Sequence, residues 1–233
     1  MVASPCDESL SYLSLTVARY AADDPLGKVA ALITLSPIYL GAAYATLSLC
    51  RRDLQTFIMG VGQALDLVVN KVAKNWAAEP RPQGCVTGGY GMPSNHTQFM
   101  FFFAAFSILY LWNRLSCSTC TKAGLSLGLG LWAALVGWTR QDRVVSFCLH
   151  LSCHTPMQVV VGGVLGSGTG ALWYLIYQEV LMPLSPSVVK WPLCRALLVK
   201  DYSQVSNVLA FEHENLHGAE GLANGWKLQG KLA

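Results

Sequence analysis

Two histidines and a small group of basic residues have the types and spacing needed to act on a phosphate ester. His96 lies where a polar, glycine-rich loop gives way to a long apolar segment, and His154 stands just before another apolar segment. A helix that begins at such a boundary presents free backbone N–H groups and the positive end of its dipole, which favour an anion. An isolated histidine at a boundary needs no function. Two at matched positions, each near basic residues, indicate a phosphate site.

Basic side chains occur close to both histidines. Lys74 and Arg81 are seven residues apart, about two helical turns until the prolines around Arg81 end the helix, so both can face one side of a loop. Arg140 and Arg143 precede His154. Arginine offers a planar fork to phosphate oxygens, and lysine offers a mobile charge. Taken alone, Lys74 and Arg81 are better explained as basic residues that snorkel at the end of a membrane helix.

The apolar segments between these residues are long enough to cross a membrane. Of the 233 residues, 53% are hydrophobic and 12% are charged, a balance typical of a polytopic membrane protein. We therefore predict an all-α, polytopic transmembrane helix bundle with four to five spans. The predicted spans are residues 29–50, 54–73, 93–113, 123–139 and 156–178.

Proline, glycine and polar residues inside these spans predict how the helices pack. Pro37 predicts a kink in the first span. The second span is the weakest, because Asp66, Asn70 and Lys71 within it must face protein or water. Small residues on one ridge permit close contact between helices in lipid. Such ridges are formed by Gly124 and Gly128 in the fourth span and by Gly162, Gly166 and Gly170 in the fifth.

The distribution of charge predicts three parts of the chain. These are an N-terminal polar segment (1–27), a membrane domain (28–180) and a C-terminal tail (181–233). Five spans place the loop with Lys74 and His96 on the same membrane face as the loop before His154. Most other positive charge, including that of the tail, then lies at the opposite face. The positive-inside rule predicts a cytosolic tail and a site that faces the lumen or the outside.

Several classes of function are disfavoured. The net charge of +3 is small and scattered, so we expect no nucleic-acid partner. Cys117-x-x-Cys120 lacks the second half of a zinc site, and no paired carboxylates offer a magnesium site. We therefore expect no metal in the site.

Three short motifs carry the candidate residues. They are Lys74-x6-Arg81-Pro82, Pro93-Ser94-x-His96, and an arginine followed by His154. Together they resemble the three-part signature of the type 2 phosphatidic acid phosphatase superfamily of membrane lipid phosphatases. The likeness is closer to the dolichyl diphosphatases of that superfamily, and it runs from about residue 35 to near residue 212. The resemblance implies a multi-pass enzyme of the endoplasmic reticulum membrane that hydrolyses dolichyl or polyprenyl diphosphate, without a cofactor, in support of protein N-glycosylation.

The resemblance also implies a role for each residue. His154 would be the nucleophile that attacks the terminal phosphorus, and it must therefore be neutral. His96 would be the general acid that protonates the leaving lipid phosphate. Gln158, where many members have aspartate, would accept a hydrogen bond from the His154 ring and orient it. The phosphate oxygens would be held by Lys74, Arg81, Ser94 and Arg140.

The chain departs from the signature in its third motif. The family has arginine six positions before the nucleophile, where Cys148 stands here. If Arg140 is the family's arginine, residues 141–148 are an insertion, and we expect Arg140 to reach the phosphate. Alternatively Arg143 replaces it, or the site lacks its arginine and the protein binds lipid without catalysis. A phosphatase for another lipid phosphate is a further alternative.

Overall fold

Each apolar segment predicted from the sequence forms a helix. The structure is a computed structural model that describes residues 10–13, 18–21, 25–82, 89–140, 154–205, 207–208 and 210–218. The longer helices are α1 (Pro25–Thr34), α2 (Ser36–Arg51), α3 (Leu54–Ala77), α4 (Asn95–Arg114), α5 (Thr119–Trp138) and α6 (Pro156–Ile176). A π-helical turn (Tyr177–Leu181) and the short helices α7 (Met182–Val188) and α8 (Pro192–Ala196) follow.

The all-α prediction is confirmed for the helical part of the chain, with one addition before it. Strands β1 (Leu10–Leu13) and β2 (Ala18–Ala21) pair antiparallel, with Leu10 opposite Ala21. This two-stranded sheet lies in the N-terminal segment, where the sequence analysis predicted no strand. Alternation over only four residues per strand is too short to predict one.

The first predicted span is bent, as Pro37 predicted. The axes of α1 and α2 meet at 41°. Pro37 lies in the first turn of α2, where its missing N–H costs no helical hydrogen bond. Near the break, Thr34 Oγ1 donates to the carbonyl of Ala31 (2.7 Å) and Ser36 Oγ to that of Ile33 (2.6 Å). These hydroxyls satisfy carbonyl groups close to the interruption.

The prediction of four to five spans is not confirmed. Among the described residues, α5 and the continuous helix Pro156–Val188 are long and apolar enough to cross a membrane, and the bent α1–α2 pair makes a third if it counts as one span. The other two long helices, α3 with 24 residues and α4 with 20, are too polar to pass the same test. The helix from Pro156 also continues past residue 180, where the sequence analysis placed a domain boundary.

The glycine ridge of α6 packs directly on the backbone of α4. Gly162 faces Ser94, Gly166 faces Gln98, and Gly170 faces Phe102. A Cβ on Gly162 would lie 2.8 Å from the Ser94 carbonyl oxygen, so only glycine permits this approach. The ridge predicted in α6 is therefore confirmed. The ridge predicted in α5 is not confirmed, because within the described residues a Cβ on Gly124 or Gly128 would have nothing within 4 Å.

A buried polar network joins α3, α4 and α6. Asp66 Oδ1 accepts hydrogen bonds from Gln98 Nε2 (2.8 Å) and Thr169 Oγ1 (2.7 Å). Asn70 Nδ2 donates to Gln98 Oε1 at 2.7 Å. The polar residues Asp66 and Asn70 thus face protein, as predicted, and their hydrogen bonds hold α3 against the α4–α6 pair.

The C-terminal tail is attached to the end of the bundle opposite the two histidines. The backbone N–H of Lys200 donates to the Arg52 carbonyl (2.7 Å), and that of Leu54 donates to the Lys200 carbonyl (3.0 Å). Arg51 forms an ion pair with Glu212 at 3.0 Å. These contacts fix the tail to the corner between α2 and α3.

Candidate active site

Both histidines lie at the starts of packed helices. His96 is the second residue of α4, and His154 directly precedes Thr155, the N-cap of α6. Thr155 and Gln158 form a capping box, in which the hydroxyl accepts from the Gln158 N–H at 3.3 Å. Because the α6 ridge holds α4 and α6 together, the two imidazoles lie at the same end of the bundle.

The loop after α3 is held beside the start of α4. Lys74, in the last turn of α3, donates its Nζ to the Tyr90 carbonyl at 3.1 Å. The backbone N–H of Gly91 donates to the Glu79 carbonyl at 2.7 Å, and Pro80 and Tyr90 form an antiparallel bridge. Arg81 follows Pro80, so this pairing brings Lys74 and Arg81 to the site together.

Arg140 reaches the same place from the end of α5. Its backbone N–H donates to the Gly137 carbonyl at 3.1 Å, which continues the last turn of that helix. Its Nε is buried and makes no hydrogen bond within the part of the chain that the structure describes. Arg143, the alternative from the sequence, and the proposed insertion 141–148 lie outside the described residues.

Three positive charges act on both imidazoles. Burial and the charges of Arg140, Arg81 and Lys74 lower the pKa of His154 to about 3. The ring is therefore neutral at physiological pH, as a nucleophile requires. The same three charges, together with His154, act on His96. The five side chains predicted from three separate motifs thus form one electrostatically coupled cluster.

The cations in this cluster also repel each other. Burial and the charge of Arg81 lower the pKa of Arg140 from 12.5 to about 10. A bound phosphate anion would relieve this repulsion and supply the acceptors that guanidinium groups need. The cluster is therefore suited to a group with several negative oxygens.

A chain of hydrogen bonds fixes the tautomer of His154. Gln158 Nε2 donates to Glu79 Oε1 (2.8 Å) and to the Pro80 carbonyl (3.1 Å). Gln158 Oε1 must then be the atom that meets His154 Nδ1 at 3.2 Å, and it also accepts from the Thr155 N–H at 3.3 Å. Because an amide oxygen only accepts, Nδ1 carries the proton and donates. This tautomer leaves a lone pair on His154 Nε2.

Two members of this arrangement were missed by the sequence analysis. Glu79 accepts from the Gln158 amide although the two residues are 79 positions apart in the chain. Gly91 leaves room for that amide, since a Cβ there would lie 2.5 Å from Gln158 Oε1. Glu79 stood in the motif that carried the family resemblance. Its position beside Arg81 was the only available signal.

Ser94, predicted to help hold the phosphate oxygens, makes its described contacts within the protein. Its backbone N–H donates to the Gln158 carbonyl at 3.0 Å. Its hydroxyl accepts from Thr97 Oγ1 at 3.1 Å, and the residue is fully buried. Ser94 therefore ties the start of α4 to the start of α6. The N–H groups that α4 presents to an anion are those of its first turn, residues 95–97.

Known proteins resemble this chain in sequence and in fold. Residues 55–181 match the PAP2 superfamily. The chain is 38% identical to dolichyldiphosphatase 1 of Mus musculus over 212 residues, 86% of each protein. The dolichyldiphosphatase 1 of Homo sapiens is 37% identical, with the same coverage of both proteins. Lipid phosphate phosphatase gamma of Arabidopsis thaliana is 32% identical over 219 residues, 91% of this chain and 93% of that protein.

One solved structure supports the fold. It is the crystal structure of a transmembrane PAP2 type phosphatidylglycerolphosphate phosphatase from Bacillus subtilis. The match has a TM-score of 0.55 and 21% identity, and it covers 68% of this chain and 80% of the other. At that identity the likeness concerns the helical architecture alone.

Proposed function

This chain belongs to the PAP2 superfamily, and we propose that it is an integral membrane lipid pyrophosphatase that hydrolyses dolichyl diphosphate to dolichyl phosphate and inorganic phosphate. The identity of 37–38% to the dolichyldiphosphatase 1 proteins supports this substrate. The observation that carries the proposal is the coupling of His96 and His154 to the charges of Lys74, Arg81 and Arg140.

In the first step, His154 Nε2 attacks the terminal phosphorus of the substrate. The bond from that phosphorus to the bridging oxygen breaks, and His96 gives its proton to the leaving dolichyl phosphate. The phosphorylated imidazole keeps its Nδ1 proton and donates a hydrogen bond through it to Gln158 Oε1 at 3.2 Å. The phosphate oxygens, which carry the charge in the transition state, are held by Lys74, Arg81 and Arg140.

In the second step, water attacks the phosphohistidine. The neutral His96 takes a proton from that water as its oxygen bonds to phosphorus. The bond from phosphorus to His154 Nε2 breaks, its electron pair returns to the ring, and inorganic phosphate leaves. The cycle ends with a neutral His154 and with the proton on His96. Because burial and the three cations disfavour a charged His96, the anionic phosphate bound beside it must stabilise that proton.

The site is expected to face the lumen of the endoplasmic reticulum. Residues 28–180 would form the membrane phosphatase domain and residues 181–233 a cytosolic tail. Arg51 and Arg114 lie at the tail end of the bundle, and basic residues favour the cytosolic side. The dolichyl phosphate released at the lumenal face would support protein N-glycosylation as a recycled lipid carrier.

Phosphate release by the purified protein tests this function. Dolichyl diphosphate is the substrate, and His154→Ala and His96→Ala are expected to lose nearly all activity. His213→Ala, which removes an exposed histidine of the tail, is the matched control and should retain it. Rapid quenching with dolichyl diphosphate labelled at its terminal phosphate should trap an acid-labile, alkali-stable phosphoenzyme in the wild type and in His213→Ala, and none in His154→Ala. Absence of phosphate release from any polyprenyl diphosphate would refute the proposal.

Two alternatives are separable from this function. A phosphatase for another lipid phosphate is favoured by the 32% identity to lipid phosphate phosphatase gamma of Arabidopsis thaliana. Comparison of kcat/KM on phosphatidate and on dolichyl diphosphate decides between the two substrates. A catalytically silent lipid-binding protein is the second alternative. The charge of Arg140 acts on both histidines, which argues against a site that has lost its arginine.

A further inference from the structure

A large cavity lies at the end of the bundle opposite the candidate active site. Its volume is about 710 Å³, within the range of sites for small molecules and cofactors. It lies beside Arg114, the last residue of α4, whereas His96 is near the first. At about 1.5 Å per helical residue, the two are roughly 27 Å apart. The cavity is thus separate from the phosphate cluster.

The cavity wall is mostly apolar and aromatic. The centre of the Tyr177 ring lies 5.8 Å from that of Phe106 and 6.1 Å from that of Tyr110. Leu125 and Leu129 of α5 complete this wall. The attached tail closes another side through Tyr202, Val205 and Val208. Such a lining suits a hydrocarbon chain more than a free ion.

Three polar side-chain atoms of this wall are buried without a hydrogen bond within the described residues: Arg114 Nε, the Tyr177 hydroxyl and Asp53 Oδ2. Asp53 Oδ2 faces Arg51 Nε at 3.5 Å, which leaves the guanidinium Nε and the phenol without a partner. Tyr177 is only 1% exposed. A guanidinium N–H can only donate, and a phenol can donate, so a ligand with an anionic oxygen would satisfy both.

The other charges at the cavity are already paired. Arg51 forms ion pairs with Glu212 at 3.0 Å and with Asp53 at 3.5 Å. Asp53 also accepts from the N–H of Thr56 at 2.7 Å, as the N-cap of α3. Arg114 donates an Nη2 to a neutral backbone carbonyl, that of Ser203. Within the described residues Arg114 forms no ion pair, so its positive charge is available to a ligand.

The backbone is irregular at the same place. Tyr177 begins the π-helical turn that interrupts the long helix from Pro156 to Val188. Single π-turns inside helices occur frequently at functional sites. This observation is independent of the cavity and of the unpaired polar groups, and it concerns the same residue.

We propose that this cavity binds one phospholipid from the leaflet that adjoins the tail. An anionic phosphate oxygen of the lipid accepts from Arg114 Nε and the Tyr177 hydroxyl, and an acyl chain lies along Phe106 and Leu129. The proposal goes beyond the hydrolysis of a lipid diphosphate and does not depend on it, because the cavity shares no residue with the phosphate cluster.

Photocrosslinking on the full-length protein in nanodiscs tests this site. The probe is phosphatidylglycerol with a photoactivatable acyl chain, a phosphodiester that offers no terminal phosphate for release. We expect labelled peptides from α4 and α5 around Phe106 and Leu129. Arg114→Gln should weaken binding about tenfold or more, since it removes a charge-assisted hydrogen bond. Arg195→Gln removes an exposed arginine of α8 and is the matched control.

Competition identifies the ligand class. Unlabelled phosphatidylglycerol should displace the probe, and inorganic phosphate and diacylglycerol should not. Equal displacement by diacylglycerol, or displacement by inorganic phosphate alone, overturns the proposal, because the site would then recognise only hydrocarbon or only an ion. Labelling that maps elsewhere, or that is unchanged in Arg114→Gln, also overturns it.

Two further variants separate loss of the site from loss of the fold. Arg114→Lys keeps the charge and should retain most binding. Ser107→Phe fills the cavity from α4 without removing a charge, and it should abolish labelling. If Ser107→Phe melts at the wild-type temperature and is still labelled, the lipid does not occupy this cavity.

Discussion

Removal of the Glu79 carboxylate should slow the reaction while leaving substrate binding nearly unchanged. Glu79 touches no reacting atom, but it accepts from Gln158 Nε2 at 2.8 Å and so directs Gln158 Oε1 to His154. In Glu79→Ala the amide of Gln158 can rotate. An Nε2 that faced His154 would demand an unprotonated Nδ1, and the proton would move to the nitrogen that should attack.

The size of the effect follows from the lost hydrogen bond. A hydrogen bond to a charged group contributes about 1.5–3 kcal/mol, which corresponds to about 10- to 150-fold in rate. The Pro80 carbonyl still accepts from Gln158 Nε2 at 3.1 Å, and Glu79 is partly exposed, so the lower end applies. We expect kcat to fall about tenfold in Glu79→Ala. In Glu79→Gln the new amide oxygen can accept, and the fall should be about threefold.

Steady-state kinetics with dolichyl diphosphate measure this change. The prediction requires a lower kcat, an unchanged KM and partial recovery in Glu79→Gln, whereas a general loss of packing would lower the melting temperature in both variants. Nitrogen-15 spectra of labelled histidine should show the His154 proton on Nδ1 in the wild type and a mixture of tautomers in Glu79→Ala. Glu214→Ala, in the exposed part of the tail, is the control. A Glu79→Ala protein with wild-type kcat would refute the positioning role.

Three other substitutions follow from the same structure. Arg140→Gln removes a charge that lowers the pKa of His154, so this pKa should rise. The acid limb of the kcat/KM profile should then move to higher pH, and activity should be about 10- to 100-fold lower. An acid limb that does not move would contradict the electrostatic coupling of Arg140 to His154. Gly91→Ala places a Cβ 2.5 Å from the amide that orients His154, so kcat should fall at constant melting temperature. Gly166→Ala forces a Cβ onto the α4 backbone and should cost about 1–3 kcal/mol of stability in a thermal melt, whereas Gly128→Ala, in open space, should not.

The positions of both histidines could be predicted because the signal is local. A polar loop that turns into an apolar run marks a helix start, and α4 and α6 begin within two residues of the predicted points, 93 and 156. Lys74 was placed in a loop, but α3 continues through Ala77 and carries Lys74 in its last turn. Its backbone there remains helical because the first proline comes only at residue 80.

Contacts between distant segments could not be predicted. The glycine pattern in α5 looked like that in α6, yet among the described residues the α6 ridge meets another helix and the α5 ridge does not. Spacing does not tell which face of a helix is covered. The hydrogen bond from Gln158 to Glu79 could not be predicted for a similar reason. Two polar residues far apart in sequence become partners only through the fold. The count of four to five spans is not confirmed, since α3 and α4 keep polar residues that the bundle buries.

The bond from the Ser94 N–H to the Gln158 carbonyl has a consequence for how a bulky lipid gains access. Gln158 orients the His154 ring through its side chain and binds the start of α4, which carries His96, through its backbone carbonyl. The glycines of α6 let the two helices pack in direct backbone contact. The histidine pair must therefore move as a rigid unit. The turn after α3 is tied to the same unit, because Glu79 and the Pro80 carbonyl accept hydrogen bonds from Gln158 Nε2. A lipid diphosphate must therefore enter a frame that is already assembled, so that its arrival need not order the histidines.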